Sequence, residues 1–356
     1  MATTFKDLNQ NNDIVSTRTL LHESIPLTGT IASGTYGDNN IKNYPHGMFQ
    51  SVYDYPYLSS SANHIYDLTF GVSNTSALSS SITNQQTKKI NLYNQMAQVL
   101  AGYDTTGSIR RFDEDGNITD GGDKLDNCIF VNFSRLLTKD EIKKGSFQMI
   151  LGTGSYAAPF GGLLTIQDTN AENSYKVNSP AGEYGILSAS TGAGAGWTAA
   201  PACGLIFYQA GVAVLSSSVF QSGSTAIPGG VLKTNVALNA TGDTISALLT
   251  GSAISSSADD LRHRIKDISF NNTTELNSTI HFCRVGANDF NYSSNPTYLS
   301  ESKIRVKNNS QDAPVSYFTS VGLYSSDNEL LAVAKMSEPI KKEPSNEMVV
   351  RVRLDY

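Results

Sequence analysis

Six stretches near the end of the chain constrain the fold more than anything before them. From about Asp259 onward, "HRIKDISFNN", "STIHFCRVG", "SKIRVKN", "SYFTSVGLY", "ELLAVAKM" and "EMVVRVRLDY" alternate apolar and polar residues and are separated by polar turn formers. Side chains alternate across a strand, so a period of two sustained through several short runs predicts an antiparallel sheet or sandwich. In the last run Met348, Val350, Val352 and Leu354 face one way, and Arg351, Arg353 and Asp355 the other. One face is therefore core, and the other is wet or covered by a partner. Ser325-Ser326-Asp327-Asn328 reads as the turn of a hairpin between "SYFTSVGLY" and "ELLAVAKM".

The same period continues upstream. "HIYDLTFGV" from His64, "CIFVNFSRLL", "SFQMIL", "GLLTIQD" and "YGIL" are strand candidates. In "GLIFYQAGVAVLSSSVF", Ile206 and Tyr208 lie on one side and Leu205 and Phe207 on the other, the pattern of a strand covered on both faces, and Gln209-Ala210-Gly211 is its turn. Only two helices are expected. One begins near Asn84, with Ile90, Tyr93, Met96, Ala97 and Leu100 on one stripe and Gly102 as the stop. The other is "TKDEIKKG", with Thr138 as cap, Glu141 as its capping-box partner and Gly145 ending the turn.

The expected class is mainly β, with an antiparallel, sandwich-like C-terminal domain over 258–356. Residues 129–257 form a β-rich, Gly- and Ser-rich middle domain, read as an insertion. Residues 81–128 are a connector containing the long helix. Residues 1–80, where Tyr and Phe are strewn among Gly, Pro, Asn and Ser, read as an extended N-terminal arm.

Chemistry is thinly signalled. "GTGSYAAPFGG" and "GAGAG" are glycine-rich, but no GK[ST] follows and neither opens a long helix, so a phosphate loop is not expected. The acidic run at Asp113, Glu114, Asp115, Asp120 and Asp123 fails the calcium-loop register, with glycine fourth and Lys124 twelfth; it reads as a solvated turn. His22, His46, His64, His263 and His281 are scattered, and there is no GxSxG elbow. Cys128, Cys203 and Cys283 are far apart and odd in number, which suits buried thiols better than a disulfide framework or metal site. No catalytic, cofactor-binding or metal-ligating residue is assigned. With 26 Lys and Arg against 32 Asp and Glu, a net charge of -6 and no basic stripe, nucleic acid is not an expected partner. No basic-plus-apolar leader opens the chain and no apolar run is long enough to cross a bilayer, so neither secretion nor membrane insertion is expected.

The stretches "FNNTTELNSTIHFCRV", "FNYSSNPTY", "TSVGLYSSDNELLAVAKMSEPIKK", "NLYNQMAQVLAGYD", "NFSRLLTKDEIKKGSF" and "GLIFYQAGVAVL" resemble virion structural proteins of contractile-tailed phages, particularly the T4-like phages of cyanobacteria, over roughly residues 85 to 350. "GLYSSDNELLAVAK" is also similar to segments of tail-fibre attachment and baseplate-associated proteins. The resemblance carries no catalytic motif. It implies a non-enzymatic structural protein of the tail baseplate or fibre-attachment region, assembled in the host cytoplasm, whose partners are itself and neighbouring tail proteins. Two alternatives share the β-rich build. One is a head decoration or neck protein. The other is a receptor-binding adhesin that stacks Trp197, Tyr184 and Tyr156 on a host-surface glycan.

Overall fold

The computed structural model describes residues 5–25, 38–80, 84–117, 124–190, 201–222, 231–232, 235–251, 254–292, 299–300, 303–304, 311 and 314–356. They are mainly strand, and the paired strands for which a register is resolved run antiparallel. The chain divides into two compact units: residues 21–274, and residues 1–20 together with 275–356.

The larger unit is organised by one sheet. Its spatial order runs from the first part of strand Ile265–Val285 through Gln148–Gly152, Leu163–Gln167, Gly182–Ser190, Ala202–Phe207, Val212–Ser216, Asn127–Phe133, His64–Val72 and Gln50–Tyr53 to Ile41–Asn43. The strands from 148 to 216 follow one another as a meander, and the chain order then reverses where Val212–Ser216 pairs with Asn127–Phe133. The middle of this sheet is buried on both faces. Ile129, Val131, Phe133, Ile206 and Tyr208 join one apolar cluster, while Phe130, Leu205, Phe207 and Val214 join the other. The double-sided pattern in "GLIFYQ" is thus realised, and Gly211 turns the chain at φ 67°.

Helix Asn84–Leu100 covers the second face with Tyr93, Ala97 and Leu100, leaving Val99 exposed. Its approach to the sheet requires Gly71, where any Cβ would come within 2.7 Å of Tyr93 backbone atoms. The Tyr93 hydroxyl donates to the Leu125 carbonyl (2.8 Å) and accepts from the Phe112 amide (3.2 Å), tying the following loop to the helix. Helices Ile245–Gly251 and Ile254–Arg262 supply Ile245, Leu248, Leu249, Ile254, Ala258 and Leu261 to the first cluster.

Three expectations are corrected here. Part of the supposed arm, residues 41–72, forms three strands of the main sheet, with Ile41, Val52, Tyr66, Leu68 and Phe70 buried. The supposed connector likewise contributes Phe112 and Leu125 to the core. "TKDEIKKG" is not a helix. A single turn, Arg135–Thr138, ends where it was expected to begin, and Glu141–Ile142 is a strand opposite Thr273 and Asn272. Ile142 is fully buried and its amide donates to the Tyr208 carbonyl (3.0 Å), so core burial overrides the local capping signal. Gly145, expected to end that helix, instead sits at φ 75° in a separate turn after the strand, where the Ser146 amide donates to the Lys143 carbonyl (3.2 Å).

The smaller unit is thinner. The second part of Ile265–Val285 lies between strand Ile14–Ile25 and strand Met348–Asp355. "HRIKDISFNN" and "STIHFCRVG", read as two strands, are therefore parts of one. Hairpin Ser316–Tyr324 with Leu330–Lys342 forms a separate two-stranded ribbon. Its turn is where the sequence places it: the Ser325 amide donates to the Glu329 carbonyl (2.9 Å) and Asn328 sits at φ 62°.

Candidate docking surface

The smaller unit leaves much of its apolar surface uncovered. Val285, Val315 and Val352 are its buried hydrophobic residues among those described. On the hairpin, Tyr317, Tyr324, Leu330, Leu331, Val333 and Ile340 are exposed, Leu331 to 68%. Val333 lies across from Gly322, over which the Tyr324 ring and Leu330 fold, and is still 57% exposed. Val349 and Tyr356 add to this surface from the last strand and the chain end. A two-stranded hairpin is marginal in water unless a hydrophobic face is packed.

An open cavity of about 860 Å³ lies within this unit, with walls from the hairpin, strand Ile265–Val285 and strand Met348–Asp355. Phe5, Leu8, Phe318, Leu323, Val350 and Leu354 line it, beside His281 and Cys283. Cys283 stands opposite Val350 and His281 opposite Val352, which puts both on the inward face of the last strand's alternation. Burial pushes the Cys283 thiol up from its ordinary value. The cations at the cavity are paired: Lys6 with Asp289, and Arg284 with Asp13 at 2.7 Å. Asp13 is held below the usual carboxylate range by the Asn9 amide and then by Arg284.

The hairpin edges are unequal. Between the Ser320–Lys335 and Phe318–Ile340 pairs, strand Leu330–Lys342 carries extra residues, including Pro339, which has no N–H to donate. That edge is blunted against strand addition.

Residues singled out from the sequence are dispersed. Tyr184 is fully buried, its hydroxyl hydrogen-bonded with the Gly116 carbonyl (2.7 Å) and the Asn178 side-chain amide (2.6 Å), so it cannot present a ring to a sugar. Tyr156 stacks on His263 with ring centres 4.7 Å apart, and Trp197 lies outside the described residues. The aromatic trio of the adhesin alternative is thereby broken at Tyr184. Of the acidic run, Asp113 is buried and bonded to Lys124 Nζ (2.5 Å), while Asp120 and Asp123 lie outside the described residues. Desolvation raises the Asp113 pKa, and a hydrogen bond from Asp113 lowers that of Asp115. Cys128 and Cys203 are buried in the core, which pushes both thiols up.

A serine, an aspartate and a histidine do meet on strands Gln50–Tyr53 and His64–Val72. Ser51 Oγ and His64 Nε2 both bond Asp67 Oδ1, at 2.5 and 2.8 Å. The carboxylate stands between the other two, so the imidazole cannot take the serine proton as a triad requires. Ser51 is also only 2% exposed. Among the described residues no three His, Cys, Asp or Glu side chains gather as metal ligands, and no helix is long and apolar enough to cross a membrane.

Three fully buried cations, Arg264, Lys89 and Lys342, were not legible from the sequence, because burial of a long polar side chain leaves no periodic signature; Lys342 donates to the Ala287 and Glu343 carbonyls (both 2.9 Å) and to Asn291 Oδ1 (2.7 Å). Arg264 is fully buried and donates to the carbonyls of Gly154 (2.6 Å), Gly152 (3.4 Å) and Ala237, joining two loops through one guanidinium. Lys89 is also fully buried and donates to the Leu249 carbonyl (2.6 Å) in helix Ile245–Gly251; desolvation lowers its pKa to about 8. All three cations meet backbone carbonyls, which is the contact of a structural tie.

Compared with protein-family models, curated proteins and solved structures, the chain matches none.

Proposed function

We propose that this chain is a non-enzymatic structural component of a phage virion, of the tail baseplate or fibre-attachment region, that works by self-association and by docking to neighbouring tail proteins. One observation carries the assembly part: among the described residues of 275–356 eleven large apolar side chains are exposed and only three are buried, where those of the larger unit are mostly buried. A unit that orders about a hundred residues must offset roughly 1–2 kcal/mol of backbone entropy for each. Three buried valines and a thin sheet contribute little of that. Burial against another chain supplies the remainder, as in obligate oligomers, whose interfaces resemble a core cut in half. The virion setting comes from the resemblance of "TSVGLYSSDNELLAVAKMSEPIKK" and the related stretches to tail proteins of T4-like phages.

The test is to replace Leu331 and Val333 together by Ser in the full chain and to follow mass in solution and thermal unfolding of the larger unit. Loss of the oligomer with that unfolding preserved is the expected result. An oligomer of unchanged mass and affinity would show that the hairpin face is not the contact.

A further inference from the structure

The larger unit carries an exposed apolar loop. Loop 54–63 joins strands Gln50–Tyr53 and His64–Val72 and exposes Tyr55, Tyr57 and Leu58, the last to 87%. An exposed apolar tip is ordinarily mobile, but this one is fastened at several points. The Asp54 carboxylate accepts from the Asn63 amide (2.6 Å) and from Asn63 Nδ2 (2.8 Å). Asn40 Nδ2 donates to the Tyr53 and Asp54 carbonyls. The Tyr57 amide donates to the Asn39 carbonyl (2.9 Å), and Ser59 and Ala62 close two further turns. Tyr53 lies between Tyr57 and His64 as an aromatic buttress. Ordering is therefore met within the fold before any partner arrives, which is how rigid aromatic anchors gain affinity.

We propose that loop 54–63 of one copy is the plug for the apolar cavity in the smaller unit of a second copy. The proposal rests on the self-association reading above and names the contact. The cavity volume, about 860 Å³, falls in the range that encloses a small ligand, and so two or three side chains the size of Tyr and Leu. Charge fits as well. Asp54 at the loop base is already satisfied by Asn63, and Lys6 and Arg284 at the cavity are already paired with Asp289 and Asp13. An apolar plug can therefore enter with these two cations still paired, and Asp7 is the remaining charged group on the cavity wall. Plug and socket are different surfaces of one chain, so the contact is heterologous and generates a ring, or a helical array where the rotation does not close.

Cys283 provides the test, since it lines the socket while Cys128 and Cys203 are fully buried. Leu58→Cys in the full chain, oxidised with copper phenanthroline, should give disulfide-linked multimers on a non-reducing gel, and these should vanish in Leu58→Cys/Cys283→Ser. In parallel, Tyr57→Ser/Leu58→Ser should weaken association at least tenfold, the scale of losing one interface hot spot. Cross-links that persist without Cys283, or none in a sample that light scattering shows to be oligomeric, would overturn the plug while leaving self-association standing. A monomer by light scattering would remove both. Unchanged association of the Ser variant with loss of adsorption to host cells would overturn the plug and assign the loop to a receptor.

Discussion

Residues 21–274 and residues 275–356 are both built from alternating strands, yet they use that alternation differently. In the larger unit both faces of the central strands are covered, so Phe130, Leu205, Phe207 and Val214 are as deeply buried as Ile206 and Val131 on the opposite face. In the smaller unit the alternation stops at half burial: Met348, Val350 and Leu354 are partly covered, Val352 is buried, and Val349 is exposed. Sequence periodicity reports which residues share a face. It does not report whether the chain itself supplies the layer that covers the face.

The largest expected effect of a single substitution therefore lies in the larger unit. Phe130 is fully buried, with Phe112 at 5.8 Å and Tyr93 at 6.5 Å between ring centres, and Phe130→Ala should cost roughly 3–5 kcal/mol by urea denaturation. A loss under about 1 kcal/mol would mean that this core is far looser than its burial implies. Arg264→Ala comes next. It strands the carbonyls of Gly152, Gly154 and Ala237 and opens a void, for a loss of about 3 kcal/mol that Arg264→Lys recovers only in part.

Lys89 gives a pH signature of intermediate size. Its folded pKa, about 8, lies below the model-peptide value of 10.5, so between these values the unfolded chain binds more protons. The Lys89 contribution to stability therefore rises with pH across that window, by on the order of 3 kcal/mol in total. Tyr93, Tyr184 and Tyr208, raised by desolvation, act oppositely and lose their contribution above pH 10. The clean readout is the difference from Lys89→Met: the variant should have its greatest advantage at pH 7, shrinking as pH passes from 8 to 10.5. A constant difference would mean that Lys89 stays protonated in the fold.

The smallest effect on folding, and the greatest on assembly, is expected on the hairpin. Val333→Ser should change unfolding of the larger unit by less than about 0.5 kcal/mol, because the side chain is 57% exposed. Its association constant should fall while the larger unit remains folded, and sedimentation across a concentration series would reveal either result.

Much of the fold was legible for the same reason that the function is only partly so. Strand His64–Val72, helix Asn84–Leu100 and the hairpin turn at Ser325–Asn328 followed from periodicity and turn chemistry alone. Residues 41–53 were misread because their strands are three and four residues long, too short to show a period among so many turn formers. The helices at 245–262 did carry a signal, Ile245, Leu248 and Leu249 followed by Ile254, Ala258 and Leu261, but Ser, Gly and Thr between them masked it. Nothing local marked the exposed loop at Tyr55–Leu58 as rigid, since its fastening runs through Asn39, Asn40 and Asn63 in space. The buried state of Tyr184 was equally hidden, for it depends on loop carbonyl Gly116, remote in sequence.

Light scattering on the purified full chain, over a hundredfold range of concentration, tests most directly whether the smaller unit is built to be covered by another chain. A mass that is a fixed multiple of the monomer, falling towards the monomer in Leu331→Ser/Val333→Ser, is the result predicted here. A folded monomer at every concentration, with the hairpin protected from proteolysis, would contradict it.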